Sequence, residues 1–139
     1  MKILIINGVN LNMLGRRDRA IYGDLTLKEL NFAVKKYASA KQAKTEFFFS
    51  NSESEIVSKL QKTHADGVIL NAGAYSHYSY AIRDCIESIN KPVIEVHLSD
   101  IENREDFRKI RVFDGVVKKC FYGEKEKSYF KAVDYLCGL

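Results

Sequence analysis

Three short clusters in the 139-residue sequence combine side chains that can move protons with side chains that can hold an anion. The first, Asn7 to Tyr22, carries Asn7, Asn10, Asn12, Arg16, Arg17, Arg19 and Tyr22, with Gly8, Gly15 and Gly23 as its hinges. The second is Asn71-Ala72-Gly73-Ala74-Tyr75-Ser76-His77, and the third is Glu95-Val96-His97-Leu98-Ser99. His97 follows Glu95 by two residues, and side chains alternate along a strand, so the two point to one face. A carboxylate there fixes the tautomer of the imidazole and favours its protonated form, as a general acid needs. The same pair also serves as a salt bridge at a strand end. Tyr22 is a base only as the phenolate, and a phenol has an ordinary pKa of about 10. Arg16, Arg17 and Arg19 are near enough in sequence to stabilise that charge, whereas a tyrosine that merely packs or donates a hydrogen bond needs no such help. Asn71 and His77 suit hydroxyls or a carboxylate, and a helix expected to open near Ser76 offers free backbone N–H groups. Leu98 and Ser99 offer the same after the next strand, and Arg108 can grip a carboxylate with two hydrogen bonds. Each residue taken singly could equally be stabilising its own turn.

The remaining sequence narrows the chemistry by exclusion. It contains no G-x-S-x-G, P-loop or G-x-G-x-x-G. His64, His77 and His97 have no short ligand spacing, so no metal site is expected. Cys85, Cys120 and Cys137 are odd in number, lack C-x-x-C spacing and sit in apolar patterns, which predicts buried thiols that form neither disulfide nor metal site. Lys and Arg number 22 against 18 Asp and Glu, a balance of +4 that suits an anionic small molecule. The basic residues are dispersed and do not interleave with aromatics, which argues against nucleic acid as the partner. Met1 leads directly into a strand with no signal-peptide pattern, and no apolar run approaches eighteen residues, so a cytoplasmic protein without membrane contact is expected.

The elements that must position these clusters follow from periodicity. Lys2 to Ile6 reads as a strand buried on both faces. Thr26 and Glu29 have capping-box spacing ahead of Leu27, Leu30, Val34, Tyr37 and Ala38, a helix ending near Lys41. Thr45 to Phe49 is a second strand, and Ser52 with Glu55 again has capping-box spacing ahead of a helix through Ile56, Val57 and Leu60. Gly67 to Leu70 is a third strand, followed by a helix whose face is Tyr78, Ile82, Cys85, Ile86 and Ile89. Pro92 opens a fourth strand, Val93 to Val96. The charged stretch Asp100 to Lys109 suits a short helix or loop, a last strand lies around Gly115 to Phe121, and the closing helix is Glu124 to Leu136. The alternation predicts a single α/β domain over residues 1–139, with a five-stranded parallel sheet between two helical layers. In such sheets ligands bind beyond the carboxyl ends of the strands, where all three clusters fall.

Taken together, Asn7-Gly8-x-Asn10-Leu11, Leu14-Gly15-x-Arg17, Ile21-Tyr22-Gly23, Ser50-Asn51, Asn71 to His77 with Arg83-Asp84, and Glu95 to Ser99 with Arg104-Glu105-x-Phe107-Arg108 resemble type II 3-dehydroquinate dehydratase, in colinear order over nearly the whole chain. The resemblance implies a flavodoxin-like fold. It also implies reversible loss of water from 3-dehydroquinate to give 3-dehydroshikimate, in the shikimate pathway to aromatic amino acids, with no metal, flavin or Schiff base. By the same resemblance Tyr22 takes the proton from C2 with Arg17 favouring the phenolate, and Asn10 helps to stabilise the enolate. His97, oriented by Glu95, protonates the departing C1 hydroxyl. Asn71, His77, Arg108 and the backbone of Leu98 and Ser99 hold the substrate. Asp84 matches a residue that a neighbouring subunit lends to the site, in a dodecamer built of trimers. Val9 and Arg19 stand where that family often has proline, and Asp100 where asparagine is common. A flavin or nucleotide module would instead need a phosphate-binding loop after the first strand, where Asn7-Gly8-Val9-Asn10-Leu11-Asn12 stands. A receiver-like domain would need acidic residues where Asn7, Asn10 and Asn71 occur.

Overall fold

Ile3, Leu4, Ile5 and Ile6 have no exposed surface, and they form the middle of strand β1 (Lys2–Asn7) at the centre of the sheet. The computed structural model describes residues Met1–Leu139. Four further strands, β2 (Lys44–Phe49), β3 (Gly67–Asn71), β4 (Val93–Val96) and β5 (Lys119–Phe121), join β1 in the order β2-β1-β3-β4-β5. All neighbouring pairs are parallel. This is the flavodoxin-like order, whose switch point lies between β1 and β3.

The alternation along β1 divides the core in two. Ile3 and Ile5 point to the layer of α2 (Leu27–Ala40) and α5 (Glu126–Cys137), where Leu30, Val34, Tyr129 and Val133 are buried. Leu4 and Ile6 point to the layer of α3 (Glu53–Lys62) and α4 (Tyr80–Ser88), against Ile56, Leu60, Ile82 and Ile86. Each such side chain removed from water contributes about 1.5–3 kcal/mol, so the frame is held by two dry layers. No helix is long and apolar enough to cross a membrane.

The Thr26–Glu29 capping box is complete: Thr26 Oγ1 accepts from Glu29 N at 3.2 Å, and Thr26 N donates to Glu29 Oε1 at 3.1 Å. The one at Ser52 is half formed. Ser52 Oγ accepts from Glu55 N, but the Glu55 carboxylate takes the Ser50 hydroxyl instead of returning to Ser52 N.

Some boundaries differ from expectation, each for a local reason. Gly73–His77 is a 3-10 turn, and α4 starts only after Ser79, whose hydroxyl oxygen accepts from Ile82 N. The helix therefore does not open near Ser76, and Tyr78, which lies before it, is exposed. The last strand begins at Lys119, not near Gly115, because Val116 N and Val117 N both donate to Phe113 O in a turn over that buried ring. Helix α5 starts at Glu126 after Lys125, whose φ of 54° is left-handed. Of the three thiols only Cys85 is buried. Cys120 is half-buried, and Cys137, at the end of α5, is exposed.

Candidate active site

The segment after β1 is more ordered than its lack of periodicity predicts. Leu11 and Leu14 anchor it in the core, Leu11–Met13 forms a 3-10 turn, and Arg19–Tyr22 forms a helical turn, α1. Asp18 Oδ1 accepts from Ala20 N at 3.0 Å and so starts α1. That turn sets Tyr22 beside Arg17, whose Nη2 donates to Tyr22 Oη at 2.5 Å. The Arg17 guanidinium carbon is 3.6 Å from the ring centroid, and that of Arg104 is 5.0 Å away. Burial pulls the Arg17 pKa down, Tyr22 pulls it up, and Arg104 and Arg108 add repulsion that lowers it further.

At the end of β4, His97 Nε2 lies 2.7 Å from Glu95 Oε2, as alternation predicts. Glu95 has no exposed surface, and it sits behind the histidine without lining the cleft. The His77 ring stacks on that of His97 with centroids 6.0 Å apart. His77 Nδ1 is 2.7 Å from Ile110 O, and a carbonyl only accepts, so Nδ1 carries the proton and Nε2 of the neutral ring is an acceptor. Burial lowers the His77 pKa most, against the Ile110 hydrogen bond that raises it, with His97 and Arg108 lowering it further.

Between these two banks lie the ends of β1 and β3. Tyr129 of α5, fully buried, donates to Asn7 Oδ1 at 2.5 Å and accepts from Asn71 Nδ2 at 2.9 Å. Asn71 Oδ1 in turn accepts from Gly73 N at 3.1 Å. Burial raises the Tyr129 pKa, which keeps the hydroxyl protonated as a donor. Asn10 has a left-handed φ of 68° and is held there by Asn51, whose Oδ1 accepts from Asn10 N at 2.9 Å. Asn51 O accepts from Tyr75 Oη at 2.6 Å, which ties the first loop to the turn after β3.

The result is a cleft of about 80 Å³ at the carboxyl ends of β1, β3 and β4. Asn10, Arg17 and Tyr22 line it from the first loop, Asn71 and His77 from the second, and His97, Leu98 and Ser99 from the third. Arg104 and Arg108 close the remaining side. Three guanidiniums therefore meet in one small cleft, and the acidic partner nearest them, Glu105, is exposed. Such a cleft suits an anion with several hydroxyls, flanked by a tyrosine on one bank and an imidazole on the other.

The Dehydroquinase class II family model matches residues 1–137. The chain belongs to that family. Among class II dehydroquinases and their relatives, it is 42% identical over 136 residues to the 3-dehydroquinate dehydratase of Thermotoga neapolitana, covering 98% of this chain and 94% of that protein. It is 45% identical to the 3-dehydroquinate dehydratase of Caldicellulosiruptor saccharolyticus, covering 95% and 93%. The crystal structure of type II dehydroquinase from Butyrivibrio crossotus superposes with a TM-score of 0.95 at 42% identity, covering 98% of this chain and 97% of that one.

In this class II dehydroquinase two residues of the cleft region stand outside those singled out from sequence for the site. Arg104 lines the cleft and donates from Nη1 to Ser99 Oγ at 3.1 Å; its charged segment forms two 3-10 turns that carry no periodic signal. Tyr129 lies at core spacing on α5, and only its hydroxyl, aimed at Asn7 and Asn71, distinguishes it from an ordinary core aromatic. Asp84, by contrast, is exposed on α4 and does not line this chain's cleft.

Proposed function

We propose that the chain is a 3-dehydroquinate dehydratase acting by acid-base chemistry across this cleft, in the shikimate pathway to aromatic amino acids. The observation that carries the proposal is the opposition of two poised groups: Tyr22 under the Arg17 guanidinium, and His97 backed by the buried Glu95 carboxylate. The Tyr22 phenolate, stabilised by Arg17 and by Arg104 beyond it, takes the proton from C2 of the substrate. Electrons move onto the C3 carbonyl oxygen, and the enolate formed there is stabilised by Asn10, with a bridging water where needed. As the enolate collapses, the C1–O bond breaks and His97 gives its proton to the departing hydroxyl, so water leaves and a C1–C2 double bond conjugated with the ketone remains. Tyr22 then holds the proton that His97 has lost, and exchange with solvent resets both. A cleft shielded by the Asn7 to Tyr22 segment strengthens each of these charge interactions by excluding water.

Arg108, Asn71, His77 and the backbone of Leu98 and Ser99 hold the substrate's carboxylate and hydroxyls. Asp84 completes the site of a neighbouring copy, in trimers assembled as a dodecamer, which gives a role to an exposed acid on α4 that does not line its own cleft. The enzyme works in the cytoplasm and uses no cofactor.

The test is ultraviolet absorbance of the purified protein mixed with 3-dehydroquinate, before and after borohydride treatment. Growth of the product's conjugated enone, undiminished by borohydride, is expected. No enone over a range of pH would overturn the activity, and loss of activity after borohydride would overturn the mechanism in favour of an imine.

A further inference from the structure

The strongest unused chemistry lies behind His97. The register of β4 and β5 sets Glu95 opposite Cys120, so the two side chains leave the sheet on one face. His97, two residues beyond Glu95, joins them. A carboxylate oxygen of Glu95, a ring nitrogen of His97 and the Cys120 sulfur all lie within 4.8 Å of one another. Glu95 has no exposed surface, yet its Oε1 accepts no hydrogen bond from the protein. A buried carboxylate oxygen without a donor is rare and seeks a positive partner.

We propose that Glu95, His97 and Cys120 form an inhibitory site for a zinc-like divalent cation. One oxygen, one imidazole nitrogen and one sulfur are the donor set that zinc and cobalt take in preference to magnesium or calcium. The carboxylate and the thiolate cancel the charge of the dication. Arg111, the cation near Cys120, keeps Asp114 as its own counter-ion at 3.7 Å. Bonds of about 2.0–2.3 Å to all three donors require the His97–Glu95 contact to open by less than about 1 Å. Cysteine binds such a metal as the thiolate, so binding at Cys120 releases a proton.

The metal would take Nε2, the nitrogen that faces Glu95. Nδ1 then bears the only ring proton, in a neutral metal-bound imidazole that holds it far more tightly than an imidazolium does. The site itself rests on geometry; its effect on turnover rests on the acid role given to His97 above.

Cobalt(II) is titrated into metal-free protein carrying Cys137→Ser, so that the exposed thiol does not contribute. A thiolate-to-cobalt charge-transfer band that saturates at one equivalent is expected, and zinc is expected to lower dehydration at least tenfold, reversibly with a chelator. Cys120→Ser and Cys120→Val, both checked for folding by circular dichroism, are expected to lose the band and to keep their own metal-free rate when zinc is added. No band, or an equal band in both Cys120 variants, overturns the site. A band with undiminished turnover overturns the inhibition and counts against His97 as the acid. A metal-free protein without dehydration activity fails the activity proposal alone and leaves the band to decide the site.

Discussion

Tyr22→Phe removes one oxygen, the one that Arg17 reaches, and leaves the ring against the core and the loop anchored by Leu11 and Leu14. A positioned general base contributes about 10²- to 10⁴-fold. Steady-state kinetics should therefore show kcat lower by at least about 10²-fold with KM little changed, at an unaltered melting temperature. A variant that keeps wild-type kcat removes Tyr22 from the mechanism. Tyr129→Phe is a different experiment, because its hydroxyl touches no cleft surface and instead joins Asn7 to Asn71. Loss of two buried hydrogen bonds at once should cost about 2 kcal/mol, read as a lower urea midpoint at unchanged slope. With Asn71 freed, KM should rise more than kcat falls; a change in kcat alone would contradict a substrate-holding Asn71. At this scale the sequence discloses local pairings and hides distant ones. Glu95 with His97 follows from the period of a strand, whereas Tyr129 with Asn7 and Cys120 with Glu95 depend on which strands and helices become neighbours.

Among the elements, the turns that end the strands are under tighter constraint than the helices. Gly73 has a φ of +62°, and a Cβ there would sit 2.7 Å from Val9 O. Gly73→Ala must therefore push the turn after β3 away from the first loop. A stability loss of roughly 1–3 kcal/mol is expected from the strained backbone, together with lower kcat/KM, because Asn10 and Asn71 belong to the two loops forced apart. An alanine variant as stable and as active as wild type would show that this close approach is not needed. Strands β1 to β4 and helices α2 and α3 are legible because apolar periods and the Thr26 and Ser52 caps coincide there. The start of α4 and the extent of β5 are not, since a 3-10 turn at Gly73–His77 and the turn over Phe113 compete with residues that fit a helix or strand equally well. The same limit leaves Arg104, named in the family motif, without a place in the site, since it enters the cleft from irregular turns.

The molecule as a whole should lose stability on mild acidification through His77. Burial lowers its pKa in the folded state, so below the ordinary histidine value of about 6.5 the unfolded chain binds more protons than the folded one. Stability from this group is complete above about pH 6.5 and falls as pH drops toward the lower folded value. Glu46, whose pKa is lowered by the Lys59 hydrogen bond, acts in the same direction but only below about pH 4. Urea midpoints measured from pH 7.5 to 5 should decline in the wild type and flatten in His77→Gln; an equal decline in both would place the effect elsewhere. That the sheet is parallel, with a cleft at its strand ends, follows from alternating periodicity, whereas the order β2-β1-β3-β4-β5 does not and is implied only by the family resemblance.

The bond from Tyr129 to Asn7 spans 122 residues, from the last helix back to the first strand. A chain still emerging from the ribosome can complete β1, its first loop and even β4 while that hydroxyl remains inside the exit tunnel. Such a nascent chain would have Asn7 and Asn71 without the partner that fixes them, so the cleft takes its final shape only once α5 has emerged and docked.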